Sequence, residues 1–201
     1  VFIMVTFLLQ AVTGMGRLLY TANWGKGVVG LFGGYDGATT VHNTVGILMI
    51  IGFVIHIAYI LAKVEWKAWR RSLFSPDSLV PRPADVVHLG QKIRWFFGLG
   101  PPPAFDRWTY WEKFDYFAVF WGIFVIGSTG LMLWFPECFT QLVPGWVING
   151  ATIIHREEAL LATRFIFTIH FFNTHLRPEK FPMDIVIFTG RIPLEEFKLD
   201  R

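Results

Sequence analysis

The sequence predicts an all-α protein, an integral membrane four-helix bundle, and three observations carry that reading. Of 201 residues, 53% are hydrophobic and only 16% are charged, whereas a soluble domain carries about a quarter charged. With a mean hydropathy of +0.45 there is too little polar surface to clothe a soluble globule. Four apolar stretches reach the ~20 helical residues that cross a hydrocarbon layer, and none alternates with the period of two that a barrel strand shows. Disorder and collagen-like repeats are excluded by the same composition. Cys138 is the only cysteine, which excludes a disulfide scaffold, a Cys-rich zinc or iron–sulfur site, and thiol-linked cofactor attachment within this chain.

The first expected helix covers 1–20. Val1 lies inside an apolar run with no initiator Met and no charged n-region, so a signal peptide describes it poorly and the natural start is expected upstream. The second covers 41–63 (VHNTVGILMIIGFVIHIAYILAK), the third about 116–136 and the fourth about 147–173. Between the second and third lies a loop, 64–115, in which 84–99 (ADVVHLGQKIRWFFGL) reads as a short amphipathic helix on the membrane surface, ended by Gly100 and the prolines at 101–103. A tail, 176–201, completes one transmembrane domain spanning 1–201.

Loop charges set the orientation. The segment from Lys63 to Lys113 holds nine of the eighteen Lys and Arg, and the tail holds five more: Arg177, Lys180, Arg191, Lys198 and Arg201. The other two connections carry only Arg17 and Lys26. By the positive-inside rule the central loop and both termini are cytoplasmic and the short loops face outward. Trp66, Trp69, Trp108, Tyr110, Trp111 and Tyr116 cluster where helices meet water, as does Trp134 with Trp146 at the outer turn, which is interfacial-belt behaviour. The run DRWTYWEKFDY has no basic stripe beside it, so a nucleic-acid partner is not expected. A faint repeat links Thr13-Gly14, closing the first helix, with Thr129-Gly130, closing the third; close helix packing is sufficient to explain it.

Four of the six histidines, His42, His56, His155 and His170, fall inside the apolar stretches, where an ionisable or metal-ligating group is costly and marks a functional site by default. His42 and His56 are 14 apart, about −40° from register and ~21 Å along a helix. His155 and His170 are 15 apart, about +60° from register and ~22 Å along. The second and fourth helices run the same way, so His42 meets His155 at the outer level and His56 meets His170 at the inner one. Two facing imidazole pairs across a bilayer suit two six-coordinate haem irons engaged in electron transfer. Gly46 and Gly52 would give flat macrocycles room. Histidines that merely bond neighbouring helices are the bland alternative, and a zinc or copper site would instead want ligands converging at one level.

Arg156 follows the outer ligand, with Glu157 and Glu158, where haem propionates would emerge. Arg164 lies mid-helix between the two levels; it either serves the haems or pairs with Glu157 or Glu158. His175, Arg177, Glu179 and Lys180 crowd the inner mouth beside His170 and suit a quinone headgroup and its protons, or a plain solvated helix end. His88 reads as a surface residue and Cys138 as inert.

The Thr-Gly close of the first helix, His42 opening the second, Thr-Gly-Leu-Met-Leu-Trp ending the third, and the His155–His170 pair together resemble a known family. It comprises the cytochrome b (gamma) subunit of membrane-bound formate dehydrogenases and the related cytochrome b of nickel–iron hydrogenases. The segments FDRWTYWEKFDYFAVFWG and HLRPEKFPMD are similar to a branch found beside multihaem cytochromes. The resemblance implies a subunit with two haems b in a bacterial or archaeal cytoplasmic membrane. It would pass electrons between the quinone pool (menaquinone or ubiquinone) and an extracytoplasmic redox subunit, a multihaem cytochrome c or an iron–sulfur protein. In that family a His near the start of the first helix ligates the inner haem, and the usual spacing on the fourth is one residue shorter than here. This sequence shows no such His, so the inner ligand opposite His170 is either His56, which its spacing favours, or a residue upstream of Val1.

The expected function is therefore that of a dihaem electron-transfer subunit of a quinone-linked oxidoreductase complex rather than a complete enzyme, because the loops are too short to house a catalytic domain. A haem-free membrane anchor and a histidine-based metal-ion or proton transporter are the competing readings.

Overall fold

The computed structural model describes residues 1–176, 178, 180–192 and 194, and all regular structure among them is helical. Lys198 and Arg201 of the basic tail lie outside the described residues. Helix α1 (Phe2–Leu18) hides its hydroxyls: Thr6 donates to the Phe2 carbonyl (3.0 Å) and Thr13 to that of Leu9 (2.6 Å). A back-bond of this kind satisfies a hydroxyl where water is scarce. A short α2 (Asn23–Gly30) occupies part of the expected outer loop. Gly33 (φ +84°) and Gly34 (φ +96°) then take left-handed conformations open to glycine and turn the chain into α3 (Tyr35–Lys63).

Helix α3 begins before the expected residue 41 for local reasons. Asp36 complements the helix N-terminus, and Thr39 and Thr40 fold their hydroxyls onto the Tyr35 and Asp36 carbonyls at 2.9 and 3.0 Å. After a 3₁₀ turn (Trp66–Ala68) come α4 (Trp69–Leu73) and α5 (Pro83–Phe96), the helix expected at 84–99. Proline opens α5 at a position that needs no N–H, and Gly98 (φ +69°) rather than Gly100 terminates it. Helix α6 (Tyr110–Trp134) begins before the expected 116 because Thr109 and Glu112 form a capping box. The Thr109 N–H donates to the Glu112 carboxylate (2.8 Å) and the Glu112 N–H to the Thr109 hydroxyl (3.2 Å). A single turn, α7 (Pro136–Phe139), leads to α8 (Gly145–Phe165). Two π-helical turns, Ile166–His170 and Phe172–Leu176, prolong α8 beyond the expected 173. Helix α9 (Val186–Thr189) follows.

Among the described residues two helices, α3 and α6, are long and apolar enough to cross a membrane; α1 is apolar but only 17 residues long. The fold is thus all-helical with two candidate membrane-spanning helices. Large apolar side chains on them face outward, among them Val54, Ile55, Trp121 and Phe124. In water such a surface is an aggregation hazard, and in lipid it is the ordinary exterior.

Contacts divide the chain into two compact units. The first comprises Val1–Ile57 and Trp121–Asp184. In it α1 packs on α2 and α3: a Cβ on Gly16 would meet Val28 at 2.8 Å, and one on Gly52 would meet the Phe2 ring at 2.5 Å. Helix α3 meets α6 at Gly127 and Ile50. Helix α6 meets α8 through Gly130 and through Trp121, whose indole N–H donates to Glu158 (2.8 Å).

The second unit holds Ala58–Phe120 and residues from Ile185 on. A buried ion pair ties α5 to the start of α6: Lys113 Nζ lies 2.8 and 3.0 Å from the two Asp85 oxygens. Asp85 also accepts the Arg82 N–H (2.6 Å), so one carboxylate caps α5 and neutralises a lysine that is only 1% exposed. Arg82 pairs with Asp106, and Trp108 donates to the Asp77 carbonyl (3.0 Å). His88 is not the free surface residue expected from sequence. It is half-buried with its ring edge-on to Phe105 (5.5 Å) because α5 turns that face toward the segment before α6.

Candidate functional site

His42 on α3 and His155 on α8 come together inside the first unit, with ring centroids 6.3 Å apart and planes at 74°. Each ring is held by the same device on a neighbouring helix. Thr13 of α1 lies 3.0 Å from His42 Nδ1, and Thr129 of α6 lies 3.2 Å from His155 Nδ1. The direction of these bonds follows from the hydroxyl protons. Thr13 donates to Leu9 O (2.6 Å) and Thr129 to Val125 O (2.7 Å), so each oxygen is left to accept from an imidazole N–H. His155 Nδ1 also lies 3.0 Å from the Ile126 carbonyl, which can only accept. Both histidines therefore carry their proton on Nδ1, and Nε2 keeps the lone pair that a metal binds.

The glycine beside each threonine completes the cradle. A Cβ on Gly14 would stand 3.1 Å from His42 Cε1, and one on Gly130 would stand 3.1 Å from His155 Cε1. The two Thr-Gly pairs are thus structural equivalents, with the hydroxyl orienting the ring and the missing side chain admitting it. Gln10 secures the backbone at His42 by donating to its carbonyl (2.6 Å). That same amide fills the space beside Gly46, as Phe2 fills that beside Gly52, so neither glycine leaves room for a macrocycle as expected from sequence.

A shared metal fits this pair. Two bonds of about 2 Å from imidazole nitrogens, plus about 1.2 Å from each nitrogen to its ring centre, require centroids about 6.4 Å apart. Haem iron with two axial imidazoles needs no third protein ligand. Among the described residues no three His, Cys, Asp or Glu side chains converge as a zinc-type site would demand.

His56 lies on α3, exposed, and His170 ends the first π-helical turn, half-buried, its ring centroid 6.3 Å from that of Phe171. The π turn resolves the unequal spacings. It takes up one extra residue, so the 15-residue step from His155 to His170 turns like 14 α-helical residues, about −40° from register. That is the angle from His42 to His56.

Of the other expected residues, Arg156 is exposed and pairs with Glu157 (2.7 Å). Arg164 is also exposed, and neither Glu157 nor Glu158 is its partner: the first is taken by Arg156 and the second accepts from Trp121. His175 and Lys180 gather around Asp184, a residue sequence reasoning missed. Its N–H donates to His175 Nδ1 (3.3 Å), and its carboxylate lies 3.5 Å from the buried Lys180 ammonium. Arg177 and Glu179 lie outside the described residues.

Sequence reasoning counted Arg17 only as a loop charge. It sits in the last turn of α1 with its guanidinium 5.6 Å from the Tyr35 ring centroid. Compared with protein-family models, with curated proteins and with solved structures, the chain matches none.

Proposed function

We propose that this chain is a membrane dihaem cytochrome b, a four-helix bundle of α1, α3, α6 and α8 that carries electrons between the quinone pool and an extracytoplasmic redox partner. One observation supports the reading above the rest: two imidazoles from different helices stand at metal-sharing distance, each with Nδ1 committed to a hydroxyl acceptor and Nε2 spare. A histidine that serves only helix packing has no need of two matched cradles.

In this reading His42 and His155 hold the outer haem and His56 and His170 the inner one, and the haems, when bound, supply one-electron chemistry at potentials the protein tunes. The chain's own part is to fix the rings, exclude water and set the separation. Two imidazole levels 14 residues apart on α3 are separated by about 21 Å along the axis. Across the inner mouth, His175, Lys180 and Asp184 form a cation–imidazole–carboxylate cluster suited to holding a quinone headgroup and handling its protons; Arg177 and Glu179 are further candidates there. The orientation follows the loop charges, with central loop and termini on the cytoplasmic side of a bacterial or archaeal membrane. This is the arrangement that the resemblance to formate dehydrogenase and hydrogenase cytochromes b implies.

The test is spectroscopic. The full chain, purified in detergent, should show Soret and alpha bands in its reduced-minus-oxidised spectrum and carry roughly two haems b by pyridine haemochrome. His42→Ala and His155→Ala should each remove the same one. A preparation without haem would leave a membrane anchor, and metal analysis finding zinc or copper without iron would point to a transporter.

A further inference from the structure

The helix face that cradles His42 also carries a cation, Arg17, with no anionic partner among the described residues. Arg17 lies one α-helical turn beyond Thr13 and three residues beyond Gly14, hence on the α1 face that cradles His42. Its guanidinium sits 5.6 Å from the ring centroid of Tyr35, two turns before His42 on α3, so it spans from α1 to α3.

Two ordinary roles explain part of this. A cation in the last turn of α1 complements the helix dipole, and the aromatic face attracts it. Neither uses the side chain's hydrogen bonds. Among the described residues Arg17 Nε is buried with no hydrogen-bond partner, and a buried N–H with no acceptor is costly, so it calls for an explanation. Arg156, next to His155 in the chain, is exposed and already paired with Glu157. Arg17 is therefore a forked donor on the α1 face that cradles His42, with no carboxylate partner among the described residues, and a guanidinium fork matches a carboxylate in a bidentate fashion.

We propose that Arg17 binds a propionate carboxylate of the haem held by His42 and His155. This role belongs to Arg17 rather than to Arg156, and it rests on the reading of the pair as haem ligands. A fixed positive charge at that position favours the reduced haem, which carries one negative charge more than the oxidised form.

The experiment uses the full chain in detergent, with the outer haem identified as the one His155→Ala removes. Arg17→Gln should shift the outer haem's reduction equilibrium toward the oxidised form by about tenfold, a midpoint lowered by about 59 mV for one electron, and leave the inner haem unchanged. Its propionate bending band in resonance Raman should move as well. Arg17→Lys keeps the charge but not the fork, so it should hold the midpoint near wild type and still move the Raman band. Selective loss of the outer haem in Arg17→Gln would also support the assignment. An unchanged outer midpoint together with an unmoved Raman band in both variants overturns it while the haem reading stands. A wild-type chain without haem overturns that reading, and this assignment with it.

Discussion

At the scale of single residues, the two cradles are alike but not equal, and the difference is measurable. His42 Nδ1 has one acceptor, the Thr13 hydroxyl at 3.0 Å, whereas His155 Nδ1 has both Thr129 at 3.2 Å and the Ile126 carbonyl at 3.0 Å. Thr13→Val keeps the shape and removes the acceptor, leaving a half-buried N–H unpaired at about 1–3 kcal/mol. Loss of such an outer-shell partner typically lowers metal affinity about 10–100-fold. On the proposed haem reading, Thr13→Val should therefore release the outer haem to excess apomyoglobin much faster than wild type, and Thr129→Val should lie between them, because Ile126 still orients its ring. Equal release from the two variants would mean that the hydroxyls do not position the ligands. The neighbouring glycines offer no such asymmetry, since a Cβ at either position meets its imidazole at the same 3.1 Å.

At the scale of elements, two features decide where side chains end up. The π turn at Ile166–His170 makes the longer spacing on α8 match the shorter one on α3. Deleting Thr168 should convert that turn to plain α-helix with His170 now 14 residues after His155, and on the proposed haem reading the haem count should survive. Inserting Ala after Leu160 instead rotates His170 by about 100° and should cost the inner haem; equal counts in the two variants would remove any role for the register. The second feature is the Asp85–Lys113 tie between α5 and α6. Asp85→Asn leaves a buried ammonium without its carboxylate, a cost of about 3–5 kcal/mol, whereas the paired replacement Asp85→Leu with Lys113→Met should be close to neutral. The pH dependence has a definite sign. Burial pushes the Asp85 carboxyl up, but the hydrogen bond from Lys113, the Arg82 N–H and the charges of both residues outweigh it and hold the group below its ordinary value. A folded value below the unfolded one means the stabilisation is complete above about pH 4 and is lost as the pH falls further. Proteolysis of the segment between α4 and α5 should accelerate over that acid range in wild type and show no such step in the double variant.

At the scale of the whole molecule, what the sequence disclosed and what it concealed divide along physical lines. Helical rise and pitch are universal, so the apolar stretches and the spacing of His42, His56, His155 and His170 were enough to anticipate α3, α6 and the meeting of His42 with His155. The Thr-Gly repeat was visible too, but its use as an imidazole acceptor depends on α1 lying against α3 and α6 against α8, which no local pattern encodes. The same holds for the Asp85–Lys113 pair, 28 residues apart, and for Arg17. The Thr109–Glu112 box was a readable signal, masked by the aromatic run around it, and its neglect misplaced the start of α6. Orientation is the remaining global property, and the charge distribution makes a testable claim about it. Nine of the eighteen Lys and Arg lie from Lys63 to Lys113, while the connection bearing α7 has none. The chain's only thiol, Cys138, is exposed there, so it should react with a membrane-impermeant maleimide on intact, right-side-out cells. In a Cys138→Ser background, a cysteine at the exposed position Asp77 should react only after permeabilisation if the candidate span α6, which lies between the two positions in the chain, crosses the membrane. Labelling of both from one side would show that α6 does not span, and the opposite pattern would show a molecule inverted relative to its positive loop.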